Sequence, residues 1–233
     1  MKRLVLPRLY VILDAALLNQ AQTKQLEKEC AEKLLAAGVR LLQYRDKTAG
    51  ARELLEKSRA IAELACPNGA LFFVNDRPDV AVLAGASGVH VGQHDLGVEQ
   101  ARAVMDQALA GQEKLVGIST HNLEQFAAAV ATSADYIAIG PVFETRTKSN
   151  PDPVVGAELI RRARAATDKP IVAIGGITLQ RAAEIIEAGA DSVAVISDIL
   201  LAKDPMERAA KYVAMLEALP QRKNQSDSDI WLS

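Results

Sequence analysis

The chain has 233 residues, of which 49% are hydrophobic and 24% charged, and its formal net charge is −2. This composition excludes a disordered chain, and the near-zero charge gives no reason to expect nucleic acid or an anionic membrane as a partner. The two cysteines, Cys30 and Cys66, form neither a metal-spaced pair nor a disulfide framework, so a reduced, cytoplasmic setting is expected.

The amino-terminal stretch MKRLVLPRLYVILD places Lys2 and Arg3 before apolar residues, as a signal peptide does. However, Pro7 and Arg8 interrupt the apolar run and Asp14 ends it, so we interpret the stretch as leading into a first strand. No run in the sequence approaches the ~18 consecutive apolar residues of a membrane span.

Apolar runs of strand length recur along the whole chain. They lie at 9–14, 39–45, 70–76, 88–92, 114–119, 135–140, 170–176 and 191–197. Helical patterns separate them, for example near 24–37 and 179–188, and a last helix is predicted at 205–219 with Asp204 as its N-cap. An Ala-Gly dipeptide ends several of these helices, where glycine can adopt the left-handed conformation that closes a helix.

Eight strands that are nearly all apolar and alternate with helices predict a closed parallel (β/α)8 TIM barrel, with the helices outside. A doubly wound open sheet is the alternative, but it needs a glycine-rich fingerprint after the first strand, and LYVILDAALLNQ has none. We expect one barrel domain over 1–220 and a polar tail over 221–233. Three apolar residues in that tail, 230–232, are candidates for docking on the body or on a neighbouring subunit.

Two neighbouring strands end at carboxylates. The third runs into Asn75 and Asp76, and the fourth reaches His94 and Asp95 just beyond its end. Because parallel strands bring their carboxyl ends to one rim, Asp76 and Asp95 are expected side by side, where two hard oxygen ligands suit Mg²⁺. Each aspartate alone could equally cap the following helix, but the pair favours the metal site.

Other polar residues follow the strands at the same predicted rim. They are Gln43-Tyr44-Arg45-Asp46-Lys47, Ser119-Thr120-His121, the loop FETRTKSNPD after Gly140-Pro141, Gly175-Gly176 and Ile196-Ser197. Charged residues after strands are usually only solvated loops, so the prediction rests on their convergence at one end of the barrel.

Glycines follow the seventh strand. In such barrels the loops after the seventh and eighth strands commonly cradle phosphate with backbone N–H groups, and Gly175-Gly176 and Ile196-Ser197 fit that role. A tight turn alone would also require glycine. Arg45 and Lys47 predict a second anion near the metal, because both residue types bind phosphate oxygens.

The histidines carry weaker signals. His90 and His94 have the spacing of a zinc pair, but residues four apart on a strand lie about 13 Å from each other, so zinc is not expected. His121 follows a strand and could act as an acid–base group, although its surroundings favour a local hydrogen-bonding role.

In combination, these motifs resemble the thiamine-phosphate synthase family. The residues that carry the resemblance are QYRDK at 43–47, VNDRPDVAVLAGASGVHVGQHDL at 74–96, GIST at 117–120, DYIAIGPVFETRTK at 135–148, IGGI at 174–177 and VAVIS at 193–197. The resemblance implies a (β/α)8 barrel transferase of thiamine biosynthesis. It would join 4-amino-2-methyl-5-(diphosphooxymethyl)pyrimidine to 4-methyl-5-(2-phosphooxyethyl)thiazole, form thiamine phosphate and release diphosphate with Mg²⁺.

The resemblance also implies roles for individual residues. Mg²⁺ would bind Asp76 and Asp95, and the catalytic groups would be Arg45, Lys47, Lys148 and Ser119. The pyrimidine diphosphate would contact Gln43, Tyr44, Arg45, Asp46, Lys47, Asn75, Ser119 and Lys148. The thiazole phosphate would contact Thr145, Arg146, Thr147, Gly176, Ile196 and Ser197, although Arg146 itself fits a solvated or lid role better. Tyr44 stands where the family carries an aliphatic residue.

Two rival functions resemble this one in part. A thiazole tautomerase has a similar barrel but needs no diphosphate site, and a non-catalytic sensor of thiamine phosphate would lack metal ligands. The cations and carboxylates together favour the synthase, through loss of diphosphate to leave a pyrimidine cation that the thiazole nitrogen attacks. A homo-oligomer and a lid formed by the loop at 141–153 are both compatible with the sequence.

Overall fold

The structure, a computed structural model, describes residues 4–20, 27–107, 114–145 and 152–220. The strands are β1 (Leu9–Asp14), β2 (Leu41–Arg45), β3 (Leu71–Asn75), β4 (Gly88–Val91), β5 (Leu115–Thr120), β6 (Tyr136–Ile139), β7 (Ile171–Ile174) and β8 (Ser192–Val195). Each strand pairs in parallel with the next, and β8 pairs with β1, so the sheet closes. The predicted (β/α)8 barrel is confirmed, and no strand extends more than one residue beyond the corresponding apolar run.

Helices connect the strands on the outside of the barrel. They are α1 (Ala15–Gln20), α2 (Glu27–Ala36), α3 (Ala51–Ala65), α4 (Pro78–Ala84), α5 (Val98–Met105), α6 (Leu123–Val130), α7 (Gly156–Ala166), α8 (Leu179–Glu187), α9 (Ser197–Leu200) and α10 (Pro205–Ala218). The predicted N-cap of α10 is present, because the Asp204 side chain accepts a hydrogen bond from Glu207 N at 2.9 Å. Gly38, Gly85 and Gly189 have positive φ angles after α2, α4 and α8, as the Ala-Gly pattern predicts.

The helices bury one face each against the barrel. In α3, the buried residues include Leu54, Ile61, Ala62 and Ala65, and their spacing places them on one face of the helix. They join a continuous apolar layer between the helices and the outward-pointing side chains of the strands. This layer supplies the hydrophobic stabilisation that holds the strand ends in place.

A second, smaller core fills the barrel interior. Its centre is formed by the rings of Tyr10, Phe73 and Tyr136, whose centroids lie 5.9, 6.2 and 5.4 Å apart. Two glycines make room for them: a Cβ on Gly117 would lie 2.0 Å from Tyr136 Cζ, and one on Gly88 would lie 2.5 Å from Phe73 Cε1. The interior therefore holds three large rings only because glycine occupies the facing strand positions.

Successive residues of a strand point to opposite sides of the sheet. On β1, Tyr10 and Ile12 belong to the interior core, whereas Val11 and Leu13 belong to the outer layer. This alternation decides which strand-end residues can reach a site at the barrel mouth. Within the described ranges, no helix combines the length and apolar character needed to cross a membrane. The predicted tail at 221–233 lies outside the described residues.

Candidate active site

A cavity of about 520 Å³ lies at the carboxyl ends of the strands. Among the residues predicted for the site, those that line it are Gln43, Arg45, Lys47, Asn75, Asp76, Asp95, Ser119, Thr145, Gly176, Ile196 and Ser197. Their elements are spread around the barrel from β2 to β8, so the closed sheet brings distant sequence positions to one mouth. Three further predicted residues, Arg146, Thr147 and Lys148, lie outside the described residues.

The structure turns Tyr44 away from the cavity. Its side chain is fully buried in the outer layer, and its hydroxyl donates to Asp46 Oδ2 at 3.1 Å and lies 3.4 Å from Glu27 Oε1. The reason is strand geometry, because the neighbouring Gln43 points inward. The prediction that Tyr44 contacts the pyrimidine diphosphate therefore has no support in its position.

Asp46 is not among the residues that line the cavity, and its side chain instead binds the loop that follows β2. Its Oδ1 accepts hydrogen bonds at 2.9 Å from Thr48 N, Thr48 Oγ1 and Ala49 N. Burial acts to raise the pKa of Asp46, but these hydrogen bonds outweigh burial and lower it. Asp46 thus shapes the loop after β2, which also carries Lys47.

Arg45 is held by an aspartate that the sequence did not single out as a site residue. Arg45 Nη1 forms an ion pair with Asp14 Oδ2, and the buried Asp14 also accepts a hydrogen bond from Leu17 N at 3.2 Å. The two residues are register partners at the ends of β1 and β2. The sequence does show a carboxylate, Asp14, at the end of the first strand. Its role becomes visible only once β1 is known to pair with β2, which places Asp14 beside Arg45.

The structure brings the carboxylates of Asp76 and Asp95 together, so that their side chains share a hydrogen bond. Lys47 Nζ forms an ion pair with Asp76, and Asp95 Oδ2 accepts a hydrogen bond from Gly92 N at 2.9 Å. Asp76 has a φ of 63°, a conformation that aspartate tolerates better than most residues, and its N–H donates to His90 O at 2.8 Å. The loop after β3 is therefore built to aim this carboxylate.

Proximity separates the proton affinities of the two aspartates. Burial, followed by the hydrogen bond with Asp95, raises the pKa of Asp76. For Asp95, burial acts in the same direction, but the hydrogen bonds from Asp76 and from Gly92 N outweigh it and lower the pKa. Two carboxylates that compete for one proton form a site with excess negative charge, which a divalent cation would neutralise.

Within the described ranges, no group of three or more His, Cys, Asp or Glu residues is arranged to hold a metal. Two carboxylates fit an ion that keeps several waters and takes further ligands from a substrate phosphate, as Mg²⁺ does. They do not fit zinc, which takes three or four protein ligands.

Below the cavity, five side chains form a continuous series of hydrogen bonds. Gln43 Nε2 donates to Tyr10 Oη at 2.8 Å, and the hydroxyls of Tyr10 and Tyr136 lie 3.1 Å apart. Tyr136 Oη lies 2.8 Å from His90 Nδ1, and His90 Nε2 lies 2.8 Å from Ser119 Oγ. We call this set the hydrogen-bond chain. Its two ends, Gln43 and Ser119, line the cavity, and so does His90.

The sequence does not distinguish the tyrosines of the hydrogen-bond chain, Tyr10 and Tyr136, from ordinary core residues, because both lie within apolar strands. Burial raises the pKa of Tyr10 and that of Tyr136, so both phenols keep their protons. Ser119 is also held from its backbone, where Gln93 Nε2 donates to Ser119 O at 2.7 Å.

The glycine pair after β7 faces the loop after β6. Gly175 and Gly176 have φ angles of 101° and 62°, and a Cβ on Gly176 would lie 2.2 Å from Glu144 O. Phe143 N donates to Gly175 O at 3.0 Å. The turn alone thus requires glycine, and the Gly176 backbone also lines the cavity, where it can approach an anion.

His121 lines the cavity with both a ring nitrogen and its backbone engaged. His121 Nδ1 donates to Gly140 O at 2.6 Å, and His121 N donates to Gln125 Oε1 at 2.7 Å. Asp152 Oδ2 lies 3.5 Å from the same ring nitrogen. These contacts join the ends of β5 and β6 and match the local hydrogen-bonding role that the sequence favoured.

Known proteins resemble this chain over nearly its whole length. The model of the thiamine monophosphate synthase family matches residues 9–199. A thiamine-phosphate synthase of Koribacter versatilis is 47% identical over 215 residues, which are 92% of this chain and 98% of that protein. One of Shouchella clausii is 41% identical over 194 residues, which are 83% of this chain and 90% of that protein.

A solved structure resembles the fold as well. It is a thiamine phosphate pyrophosphorylase from Pyrococcus furiosus, which aligns with a TM-score of 0.78 at 32% identity and covers 91% of this chain and 96% of that chain. The sequence relatives and the shared barrel agree. The chain therefore belongs to the thiamine monophosphate synthase family, and it is a transferase that forms thiamine phosphate in thiamine biosynthesis.

Proposed function

We propose that the cavity joins the pyrimidine diphosphate and the thiazole phosphate named above through a dissociative reaction, in the cytoplasm. The observation that carries this proposal is the pair Asp76 and Asp95, which lines the same cavity as the glycine turn at Gly176. One end of the cavity thus concentrates charged side chains, and the other offers backbone and hydroxyl groups. Two phosphorylated reactants need two such ends.

The diphosphate would lie at the charged end. Asp76 and Asp95 would hold Mg²⁺, and the bound ion would supply positive charge that neutralises diphosphate oxygens. Arg45 and Lys47 line the same wall and would stabilise the charge of the leaving group. The ion pair with Asp14 would keep the Arg45 guanidinium aimed at the cavity. Lys148 is proposed to join them, from outside the described residues.

The reaction balances without a protein nucleophile or base. The C–O bond between the pyrimidine methylene and the diphosphate breaks, and its electron pair leaves with the diphosphate oxygen. The lone pair of the thiazole nitrogen then forms the new C–N bond, and the positive charge passes to the thiazolium product. Because no proton is transferred, the chain contributes by holding both reactants in line and by stabilising separated charges.

The thiazole phosphate would lie at the opposite end, against Gly176, Ile196 and Ser197, with Thr145 beside them. Gly176 allows the backbone to approach phosphate oxygens without a side chain in the way. Arg146 and Thr147 are proposed to contribute from the same loop as Thr145. This placement leaves the thiazole ring between its own phosphate and the pyrimidine methylene.

The test is diphosphate release measured with each substrate alone and with both, in the presence and absence of Mg²⁺. The proposal predicts release that requires both substrates and the metal. Binding of thiamine phosphate without turnover would instead identify a sensor. Isomerisation of a thiazole without any use of the pyrimidine diphosphate would identify a tautomerase.

A further inference from the structure

The hydrogen-bond chain has a direction that can be deduced by counting protons. In the orientation that the structure gives the Gln43 amide, its nitrogen donates to Tyr10 Oη, and the buried Tyr10 hydroxyl then pairs its own proton by donating to Tyr136 Oη. Tyr136 then donates to His90 Nδ1. A neutral imidazole that accepts at Nδ1 carries its proton on Nε2, which therefore donates to Ser119 Oγ.

The count fixes what each end offers to the cavity. Ser119 Oγ accepts from His90, so its own proton is free to be donated into the cavity. Gln43 uses an amide N–H within the hydrogen-bond chain, so its carbonyl oxygen is left to accept there. The two ends thus have opposite character, and Tyr10, Tyr136 and His90 couple the donor at one end to the acceptor at the other.

The rings that transmit this direction are firmly placed. The His90 and Tyr136 rings are stacked with centroids 5.6 Å apart, and Tyr136 occupies the space left by Gly117. Tyr10 and Tyr136 are almost fully buried among the packed interior rings. The folded barrel therefore fixes the positions of these hydroxyl and imidazole groups before any ligand arrives.

We propose that Tyr10, Tyr136 and His90 are positioning residues that hold Ser119 as a hydrogen-bond donor and Gln43 as an acceptor toward the cavity. This inference rests on the proposed function, because it concerns how the same site treats the pyrimidine diphosphate. As diphosphate leaves, negative charge grows on the leaving group and positive charge grows on the aminopyrimidine. A donating hydroxyl suits the former, and an amide oxygen that accepts from the ring's amino group suits the latter.

The reverse direction would oppose the reaction at both ends. Ser119 would spend its proton on His90 and face an anion with lone pairs, and Gln43 would turn its NH₂ group toward an amino group. Direction therefore matters to turnover more than to substrate affinity, because the charges in question develop only in the transition state.

The first test reads the His90 tautomer in the wild-type protein by ¹⁵N NMR. The chain has three histidines, so the double variant His94→Gln, His121→Gln leaves a single imidazole and assigns the His90 signals. The proposal predicts a neutral ring with the proton on Nε2. A proton on Nδ1, or on both nitrogens, would overturn it.

The second test cuts the hydrogen-bond chain with Tyr136→Phe, which keeps the ring and removes the hydroxyl. We expect both His90 tautomers to become populated and kcat to fall about ten-fold with little change in KM. The same change in a Ser119→Ala background should cost much less kcat, because the part of the effect that passes through Ser119 is already lost. Equal losses in the two backgrounds would show a merely structural role for Tyr136 and overturn the proposal.

Tyr212→Phe is the matched control. Tyr212 lies in α10, outside the barrel, and is as fully buried as Tyr136. Its hydroxyl donates to Asp198 Oδ2 at 2.7 Å. It should leave the His90 tautomer unchanged, and a change there would contradict the assigned path. If Tyr136→Phe does not fold, Tyr10→Phe cuts the hydrogen-bond chain one link earlier and should also populate both tautomers.

These readouts separate this inference from the proposed function. A wild-type protein that releases no diphosphate from the two substrates would refute the proposed reaction. The NMR measurement does not depend on activity, so a proton on His90 Nε2 would still support the direction of the hydrogen-bond chain.

Discussion

Two regions of the site would stabilise the charges that develop in the reaction, and they would do so differently. One is the charged wall of the cavity, formed by Asp76, Asp95, Arg45 and Lys47, and the other is the barrel interior below it. At the wall, these four side chains line the cavity, and in the proposed reaction they would act through their full charges. In the interior, burial keeps Tyr10 and Tyr136 neutral, and in the proposal they would act through the direction of their hydrogen bonds. If both proposals hold, the electrostatic stabilisation of the leaving group comes from the wall, whereas Tyr10 and Tyr136, which do not line the cavity, orient the groups that do.

The largest effect is expected from Asp95→Asn, which removes the charge at the wall and keeps the side-chain shape and the contact with Gly92 N. Turnover should fall roughly a hundred-fold or more, and the Mg²⁺ concentration for half-maximal activity should rise. Titrating Mg²⁺ against diphosphate release measures both. Asp106→Asn, at the exposed end of α5, is the matched control and should behave as wild type.

The next effect tests how the wall is supported. Asp14→Asn leaves the Arg45 charge in place but breaks the ion pair that holds it. We expect kcat to fall about ten-fold, and Arg45→Ala to cost little more in the Asp14→Asn background than the single change does alone. Glu158→Gln, which breaks the exposed pair with Arg161 on α7, should leave kcat unchanged. Independent, additive losses would show that Asp14 does not act through Arg45.

A third prediction concerns the interior. Gly117→Ala adds a methyl group 2.0 Å from Tyr136 Cζ, so the ring must move. The variant should lose about 1–3 kcal/mol in free energy of unfolding and should also disturb the His90 tautomer. Denaturant unfolding measures the first, and Gly50→Ala serves as the control, because no atom lies within 4 Å of its Cβ and the expected cost is below ~1 kcal/mol. Equal costs would show that the interior is not tightly packed.

The smallest expected effect is on thermal stability, because protons and Mg²⁺ would compete for the carboxylates of Asp76 and Asp95. The raised pKa of Asp76 means that the folded protein binds this proton more tightly than the unfolded chain does, so its contribution to stability is present at low pH and is lost as pH rises through the folded pKa. The lowered pKa of Asp95 contributes stability that is lost as pH falls through its folded pKa.

Mg²⁺ should therefore raise the Tm by about 3–5 °C at neutral pH and at ten times its Kd, and by less in acid, where Asp76 is protonated. Thermal unfolding with and without the metal checks this. A Tm increase that is independent of pH would place the ion away from Asp76.

Most of the barrel was predictable from the sequence, because its strands are mostly buried on both faces and appear as largely apolar runs. The wall was predictable for a similar reason, because charged residues that follow several parallel strands must meet at the same rim of a closed barrel. Tyr44 shows the limit of motif reasoning, since it lies within QYRDK yet strand alternation turns it outward.

The interior was not predictable. Tyr10 and Tyr136 lie far apart in the sequence, and only the closed sheet brings their hydroxyls within 3.1 Å of each other. Likewise, the role of Asp14 could be inferred only from the structure, where the pairing of β1 with β2 places it beside Arg45. Roles that depend on contacts between strands need the register, which the apolar pattern alone does not specify.

The central claim is that Asp76 and Asp95 hold a divalent ion against the diphosphate. Anomalous scattering from crystals grown with Mn²⁺ and diphosphate tests it most directly, because Mn²⁺ takes the same kinds of oxygen ligand as Mg²⁺. The account predicts an anomalous peak within bonding distance of both carboxylates, with diphosphate oxygens completing the shell. A peak bound elsewhere in the barrel, or a diphosphate held with no metal at these carboxylates, would contradict it.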